Sequence, residues 1–329
     1  LVGGISRDLG GSFRDGAGEH FVLEGDEYDS AFFDKTAKFL HYHPQTLILT
    51  SIEFDHADIY NDLEAIRVEF RRLVRLIPRQ GLLIVGADSD EASVLRDEAH
   101  CRVESFGLSS SADWKAVSIT PVRTGTTFCI ERNGEPFVEI TSPLLGDYNV
   151  RNVLAATAMV TAVGVGAEDI AKGVATFEGV KRRLELLGEV RGVTIYDDFA
   201  HHPTAVAETL AAVRAAYPGR RIWSIFEPRS ATACRRMVEA DLASALRTAD
   251  EVVLAPVYRK TVAEAIRLSP ERVVAMLTTK GVRARYFPRI EDIVKVVVEE
   301  SREGDQVVIM SNGAFDGIHN KLLTSLSVA

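Results

Sequence analysis

Cysteine is scarce in this chain: three in 329 residues, at positions 101, 129 and 234. Their spacing fits no metal or redox motif, which excludes a disulfide framework and points to reduced, cytosolic thiols. Long apolar runs are also missing; none approaches the ~20 residues of a membrane span, which argues against membrane insertion. Basic residues are in deficit. Lys and Arg number 38 against 47 Asp and Glu, a net charge of −9, which argues against a nucleic-acid surface but leaves room for a single phosphate site. No signal-peptide pattern opens the chain, and the first residues, Leu1-Val2-Gly3-Gly4, include no initiator Met. That start suggests a fragment or a processed chain. The phosphate-cradling pattern Gly-x-x-x-x-Gly-Lys-[Ser/Thr] does not occur.

What is present is ordinary globular composition, 46% hydrophobic and 26% charged, in a chain long enough for two domains. Two stretches near the start run from apolar residues into acids: Phe21-Val22-Leu23-Glu24-Gly25-Asp26-Glu27-Tyr28-Asp29 and Leu47-Ile48-Leu49-Thr50-Ser51-Ile52-Glu53-Phe54-Asp55-His56-Ala57-Asp58. Each reads as a buried parallel strand. Ligands of open α/β sheets sit outside the carboxyl ends of the strands. Glu24, Asp26, Glu27, Asp29, Glu53, Asp55, His56 and Asp58 are therefore expected at one rim. Crowded carboxylates repel unless a cation joins them, and oxygen donors with one imidazole suit Mg²⁺ or Mn²⁺ better than zinc. A set of solvated loop acids is the alternative.

Further along, apolar spacing predicts a helix over 62–77 that ends at Pro78, then a buried strand over 81–86. From about 101 to 140 the pattern becomes polar alternation, and Asn133-Gly134 marks a hairpin. A helix opens at Gly146-Asp147-Tyr148-Asn149-Val150-Arg151-Asn152. Asn149 and Asn152 lie three apart on one face, where two amides either read an adenine edge or cap the helix, with Asp147 or Asn149 as N-cap. After a short helix over 167–177, Lys181-Arg182-Arg183 is either a phosphate clamp or a basic linker. Gly188 and Gly192 suggest the boundary, giving domains 1–187 and 188–329. The second half alternates again. Strands 193–196, 221–226, 251–254 and 306–310 run into Asp197-Asp198, Glu227-Pro228-Arg229-Ser230 and Ser311-Asn312-Gly313, with helices near 204–216 and 290–300. The expected fold is α/β: a mostly parallel sheet with an antiparallel subsheet, then a Rossmann-like domain.

Glu-x-Asp-Glu-x-Asp (from Glu24), Glu-x-Asp-His-x-Asp (from Glu53), Gly-x-x-Asn-x-x-Asn (from Gly146), Arg-Arg-Leu-Glu (from Arg182) and Asp-Asp-Phe-Ala-His-His-Pro (from Asp197) occur in an order and spacing that resembles the Mur ligase family. The stretches Glu24 to Lys35, Glu-Phe-Asp-His-Ala-Asp, Glu-Pro-Arg-Ser and Met310 to His319 are most like the members that join UDP-N-acetylmuramate to the recycled tripeptide L-alanyl-γ-D-glutamyl-meso-diaminopimelate. The resemblance implies an ATP- and Mg²⁺-dependent amide ligase acting through an acyl phosphate in a bacterial cytoplasm. It implies Glu24 and His56 as metal ligands, Asn149 and Asn152 at adenine, Arg183 at the phosphates and Asp198 at the ribose hydroxyls. It also implies His201 near the reacting phosphate, and Arg229 and Asn312 at the peptide. Relatives often carry His where Tyr148 stands. No lysine follows His56 in its helix, as in the muramate-selecting members. The family's sugar-nucleotide domain and phosphate loop are absent, so the isolated chain is expected to ligate nothing and to bind ATP weakly at best. The L-alanine-adding branch and a non-catalytic derivative are the competing readings.

Overall fold

The computed structural model describes residues 1–30 and 34–328. They form two compact units, Leu1–Gly179 and Val180–Ala329. The first contains a six-stranded sheet in sequence order: β1 (Thr46–Leu49), β2 (Leu82–Gly86), β3 (Arg102–Gly107), β4 (Trp114–Val122), β5 (Gly125–Arg132) and β6 (Glu135–Ser142). Strands β1 to β4 pair in parallel; β4 to β6 are antiparallel. Asn133 and Gly134 both take positive φ, 52° and 84°, as a two-residue hairpin turn requires.

Helix α1 (Leu63–Leu76) is capped by the Asp62 carboxylate, which accepts the Ala65 amide at 2.9 Å. Ile66, Leu73 and Val74 line its buried face. A single turn, α2 (Asp90–Ser93), and helices α3 (Asp147–Ala162) and α4 (Ala167–Ala175) complete the unit. Val150, Leu154 and Ala158 of α3 pack on Ile84, Phe106 and Ile130. The expected strand at Phe21–Leu23 is not formed. Phe21 and Val22 are 68% and 66% exposed, and the run is held by the Leu1 ammonium donating to the Val22 carbonyl and the Glu24 amide donating to the Leu1 carbonyl. An apolar run becomes a buried strand only where a ladder and two covered faces await it; this one has neither among the described residues.

The second unit has the strand order β11-β10-β9-β12-β8-β7, with β7 (Glu185–Val190), β8 (Val193–Asp198), β9 (Ile222–Phe226), β10 (Glu251–Leu254), β11 (Arg283–Tyr286) and β12 (Gln306–Met310). Only β7 runs antiparallel. Helices α5 (Pro203–Ala216), α6 (Glu239–Leu246), α7 (Pro270–Thr278), α8 (Ile290–Glu300) and α9 (Ile318–Val328) alternate with the strands. The apolar cluster of Val206, Leu210, Leu242, Val252 and Val308 is separate from that of Trp223, Ile225, Val297, Val307 and Leu322, as in a doubly wound sheet covered on both faces.

The two compact units divide between Gly179 and Val180, and β7 pairs with β8 inside the second unit. Edge strands β7 and β11 escaped the sequence reading since charges interrupt them. The amino ends of the central strands converge on buried charges. Glu251 faces Arg283 at 2.8 Å, Arg285 at 3.3 Å and Arg221 at 3.5 Å. Asp305 takes Arg221 at 2.6 Å and the Trp223 indole at 2.9 Å.

Candidate active site

Three strands of the second unit end level with one another, Met310 pairing with both Asp198 and Phe226. The polar residues that follow them form one cluster. Asp198 is buried, and its carboxylate accepts the amides of Leu184 and Ala200, each at 2.6 Å. Burial raises its pKa above the ordinary carboxylate range, against the pull of those two amides and of the nearby Arg183 charge. The Arg183 guanidinium lies 5.2 Å from the Phe199 ring centre, and the residue is exposed. His201 turns its Nδ1 to the Phe199 carbonyl at 3.0 Å and its ring edge-on to Phe199. Arg183, Asp198 and His201 are therefore neighbours, tied through the 198–201 turn.

Beyond β9, the Arg229 guanidinium stacks 3.5 Å from the Tyr258 ring centre and 3.6 Å from Glu227. The Ser311 hydroxyl donates to Glu227 at 2.5 Å and accepts the Gly313 amide at 2.9 Å. A methyl group on Gly313 would overlap the Arg229 guanidinium, so only glycine lets Arg229 lie across this turn. Asn312, on the same turn, buries its Oδ1 with no hydrogen-bond partner. Glu227, Tyr258 and Ser311 were not among the expected site residues. Glu227 and Ser311 lay in motifs already noted, whereas nothing in the sequence points to the Tyr258 contact, which joins loops from two strands.

In the first unit, the two acidic stretches meet through Glu27 rather than Glu24. His56 Nε2 stands 2.6 Å from Glu27 Oε1, and Tyr28 packs edge-on against the imidazole with ring centres 4.1 Å apart. The Asp55 carboxylate accepts the His56 amide at 2.7 Å, steadying a left-handed residue of φ 53°. Burial pulls the imidazole pKa down, but the Glu27 hydrogen bond and the charges of Glu27, Asp55 and Asp26 outweigh it and hold it above its ordinary value. Tyr60 donates to the Glu27 carbonyl at 2.5 Å, and its own pKa is pushed up to about 12 by burial and by Glu69 and Glu27. Glu24 instead accepts the Gly3 amide. Ala31-Phe32-Phe33, inside the first acidic motif, lie outside the described residues.

Among the described residues no three His, Cys, Asp or Glu side chains converge into a metal cage. Mg²⁺ commonly uses one or two protein oxygens and completes its shell with phosphate and water. Asn149 and Asn152 share a face as expected: the Asn152 side-chain amide donates to Asn149 Oδ1 at 3.3 Å, and the Asn149 side-chain amide donates to the Leu145 backbone carbonyl at 2.9 Å. The N-cap itself is Gly146, with φ 90°, so neither Asp147 nor Asn149 caps the helix.

Residues 10–160 match the model of the Mur ligase middle domain, and residues 182–313 that of the Mur ligase, glutamate ligase domain. The chain belongs to the Mur ligase family. This Mur ligase is 38% identical to the Haemophilus influenzae UDP-N-acetylmuramate–L-alanyl-γ-D-glutamyl-meso-2,6-diaminoheptandioate ligase, over 100% of the chain and 70% of the relative. The Escherichia coli protein of the same name is 39% identical, over 99% of the chain and 69% of the relative. A murein peptide ligase structure from Psychrobacter arcticus superposes with a TM-score of 0.67 at 32% identity, covering 97% of the chain and 66% of that structure. The fold is shared with a Thermotoga maritima UDP-N-acetylmuramate–alanine ligase, at a TM-score of 0.78 and 23% identity, over 98% of the chain and 67% of that structure. Among the described residues no helix is long and apolar enough to cross a membrane.

Proposed function

We propose that this Mur ligase chain supplies the nucleotide-facing and peptide-binding parts of an ATP-dependent ligase. That ligase joins UDP-N-acetylmuramate to L-alanyl-γ-D-glutamyl-meso-diaminopimelate in the cytoplasm, for peptidoglycan recycling. The observation that carries the reading is the pair of guanidiniums, Arg183 and Arg229, held over ring faces at level strand ends. The likeness to the Haemophilus and Escherichia ligases along the whole chain supports it.

A carboxylate is a poor acyl donor, so the reaction needs an acyl phosphate and an amine held ready to attack it. Mg²⁺, when bound, screens the triphosphate and the charge that develops on the transferred phosphoryl group. In this reading Glu24 and His56 hold that cation, and Glu27, 2.6 Å from His56, is a further candidate. Asn149 and Asn152 face adenine, and Arg183 meets the phosphates. Asp198 uses its remaining lone pairs for the ribose hydroxyls, and His201 stands near the reacting phosphate. Arg229 takes a peptide carboxylate, and Asn312 accepts a peptide N–H or ammonium. The 329 residues contain no phosphate loop, so the reading is tested on the peptide rather than on turnover. Calorimetric titration with the tripeptide is expected to show saturable binding that Arg229→Ala weakens about thirtyfold. Free L-alanine is expected to bind more weakly. A preference for L-alanine would move the assignment to the alanine-adding branch, and no binding of either by the folded chain would overturn it.

A further inference from the structure

Three successive cations, Lys181, Arg182 and Arg183, suggested a phosphate clamp, but the middle one is committed elsewhere. Arg182 Nη2 donates to the carbonyls of Ser311 at 2.5 Å and Gly313 at 2.8 Å. These are the carbonyls on either side of Asn312, so one nitrogen holds both flanks of that residue. The Arg182 Nε donates to Asp197 at 3.2 Å. Its backbone is left-handed, φ 61°, with its amide bound to Glu185 and its carbonyl accepting the Phe199 amide. Behind it, the other oxygen of Asp197 lies 3.1 Å from His319 Nε2. That pair is buried and not aligned as a hydrogen bond, and neither atom has a hydrogen-bond partner. Asp197 is thus fixed between a guanidinium and an imidazole on the first turn of α9.

We propose that Arg182, backed by Asp197 and His319, is a positioning residue that sets the Ser311-Asn312-Gly313 turn, and through Gly313 the seat of Arg229. The inference rests on the reading of that turn as peptide-binding. A planar fork reaches two carbonyls and a carboxylate together; an ammonium keeps the ion pair but not this geometry. The test therefore compares Arg182→Lys with Arg182→Met in the 329-residue chain, with circular dichroism to verify folding.

Amide hydrogen exchange probes the clamp without any ligand. Both variants are expected to speed exchange at Gly313 about tenfold, the equivalent of one charged hydrogen bond. Exchange at Val307–Ile309 within β12 is expected to stay unchanged. Titration with the tripeptide is then expected to show a similar loss of affinity in both. Unchanged exchange at Gly313 in Arg182→Lys, or wild-type peptide affinity in that variant, would overturn the proposal. His319→Leu offers a milder version: Gly313 exchange should rise, and His319→Gln, which restores a donor toward Asp197, should reverse the rise. Failure of the unaltered chain to bind the peptide would remove the peptide reading of the turn while the exchange result still decides the clamp.

Discussion

At the amino ends of β9, β10 and β12, the acids Glu251 and Asp305 face guanidiniums, with Arg221 shared between them. At the carboxyl ends of β8, β9 and β12, Asp198 and Glu227 take their short hydrogen bonds from backbone amides and a hydroxyl, with Arg229 3.6 Å from Glu227. There the cations Arg183 and Arg229 rest on the rings of Phe199 and Tyr258. The same sheet thus gives its acids short guanidinium pairs at one end, whereas at the other it is Arg182 that grips a carboxylate closely, Asp197 at 3.2 Å, and Arg229, lying over a ring, stands 3.6 Å from Glu227. A guanidinium over an aromatic face is oriented at small energetic cost and keeps its N–H edge for an incoming anion. A guanidinium locked to a buried carboxylate has nothing left to offer.

Breaking the paired end should have the largest effect. Glu251→Leu leaves three guanidiniums short of a partner around a buried site, and is expected to destabilise the second unit by about 3 kcal/mol. Urea unfolding followed by circular dichroism measures the loss. Next, Arg229→Ala at the open end should cost about 2 kcal/mol of peptide affinity, roughly thirtyfold, and shift the urea midpoint little. A large stability loss there would erase the contrast between the ends.

The pH dependence should differ in sign. The Arg285 hydrogen bond holds Glu300 below the ordinary carboxylate range. Its contribution is present above the unfolded pKa and is lost as pH falls through the native value. Burial raises Asp198, so the native state binds its proton more tightly than the unfolded chain. Stability then declines as pH rises from the unfolded pKa through the native one. Melting temperatures across the acid range should show Glu300→Gln less stable than the parent at neutral pH, and Asp198→Asn relieved of the decline. The smallest effect is expected for Phe199→Leu. It removes the ring that Arg183 and Arg182 share, at 5.2 and 5.0 Å from its centre, and should weaken Mg-ATP binding by about 0.5–1 kcal/mol, measured by calorimetry.

Most of the fold was legible because buried parallel strands announce themselves as short apolar runs. Leu82–Val85, Ile222–Phe226 and Gln306–Met310 could be read from their residues alone. Edge strands could not: Arg283-Ala284-Arg285-Tyr286 looks like loop until the pairing with β10 is seen. The reverse failure is Phe21–Leu23, apolar enough for a strand but given no ladder here. The site was legible as a set of strand-end residues, and Arg183, Asp198, His201, Arg229 and Asn312 do gather in one unit. What stayed hidden was the division of labour among neighbours. Whether Glu24 or Glu27 meets His56, or which of two adjacent arginines is locked, depends on backbone handedness and a few ångströms of loop path, and no spacing rule encodes either.

The central strand β12 has a consequence for how this protein is made. It is the last strand among the described residues, yet it lies between β9 and β8 and pairs Gln306 with Ile222 and Thr194. During synthesis, β7–β8 and β9–β11 can form only as two separate slabs, each with an open edge, until residue 310 has left the ribosome. Contacts of such long sequence separation form slowly, and unpaired edges invite association in the interval. Chains ending before Met310 should therefore aggregate rather than fold, whereas the locally paired hairpins of β4 to β6 are complete well before β12 is made.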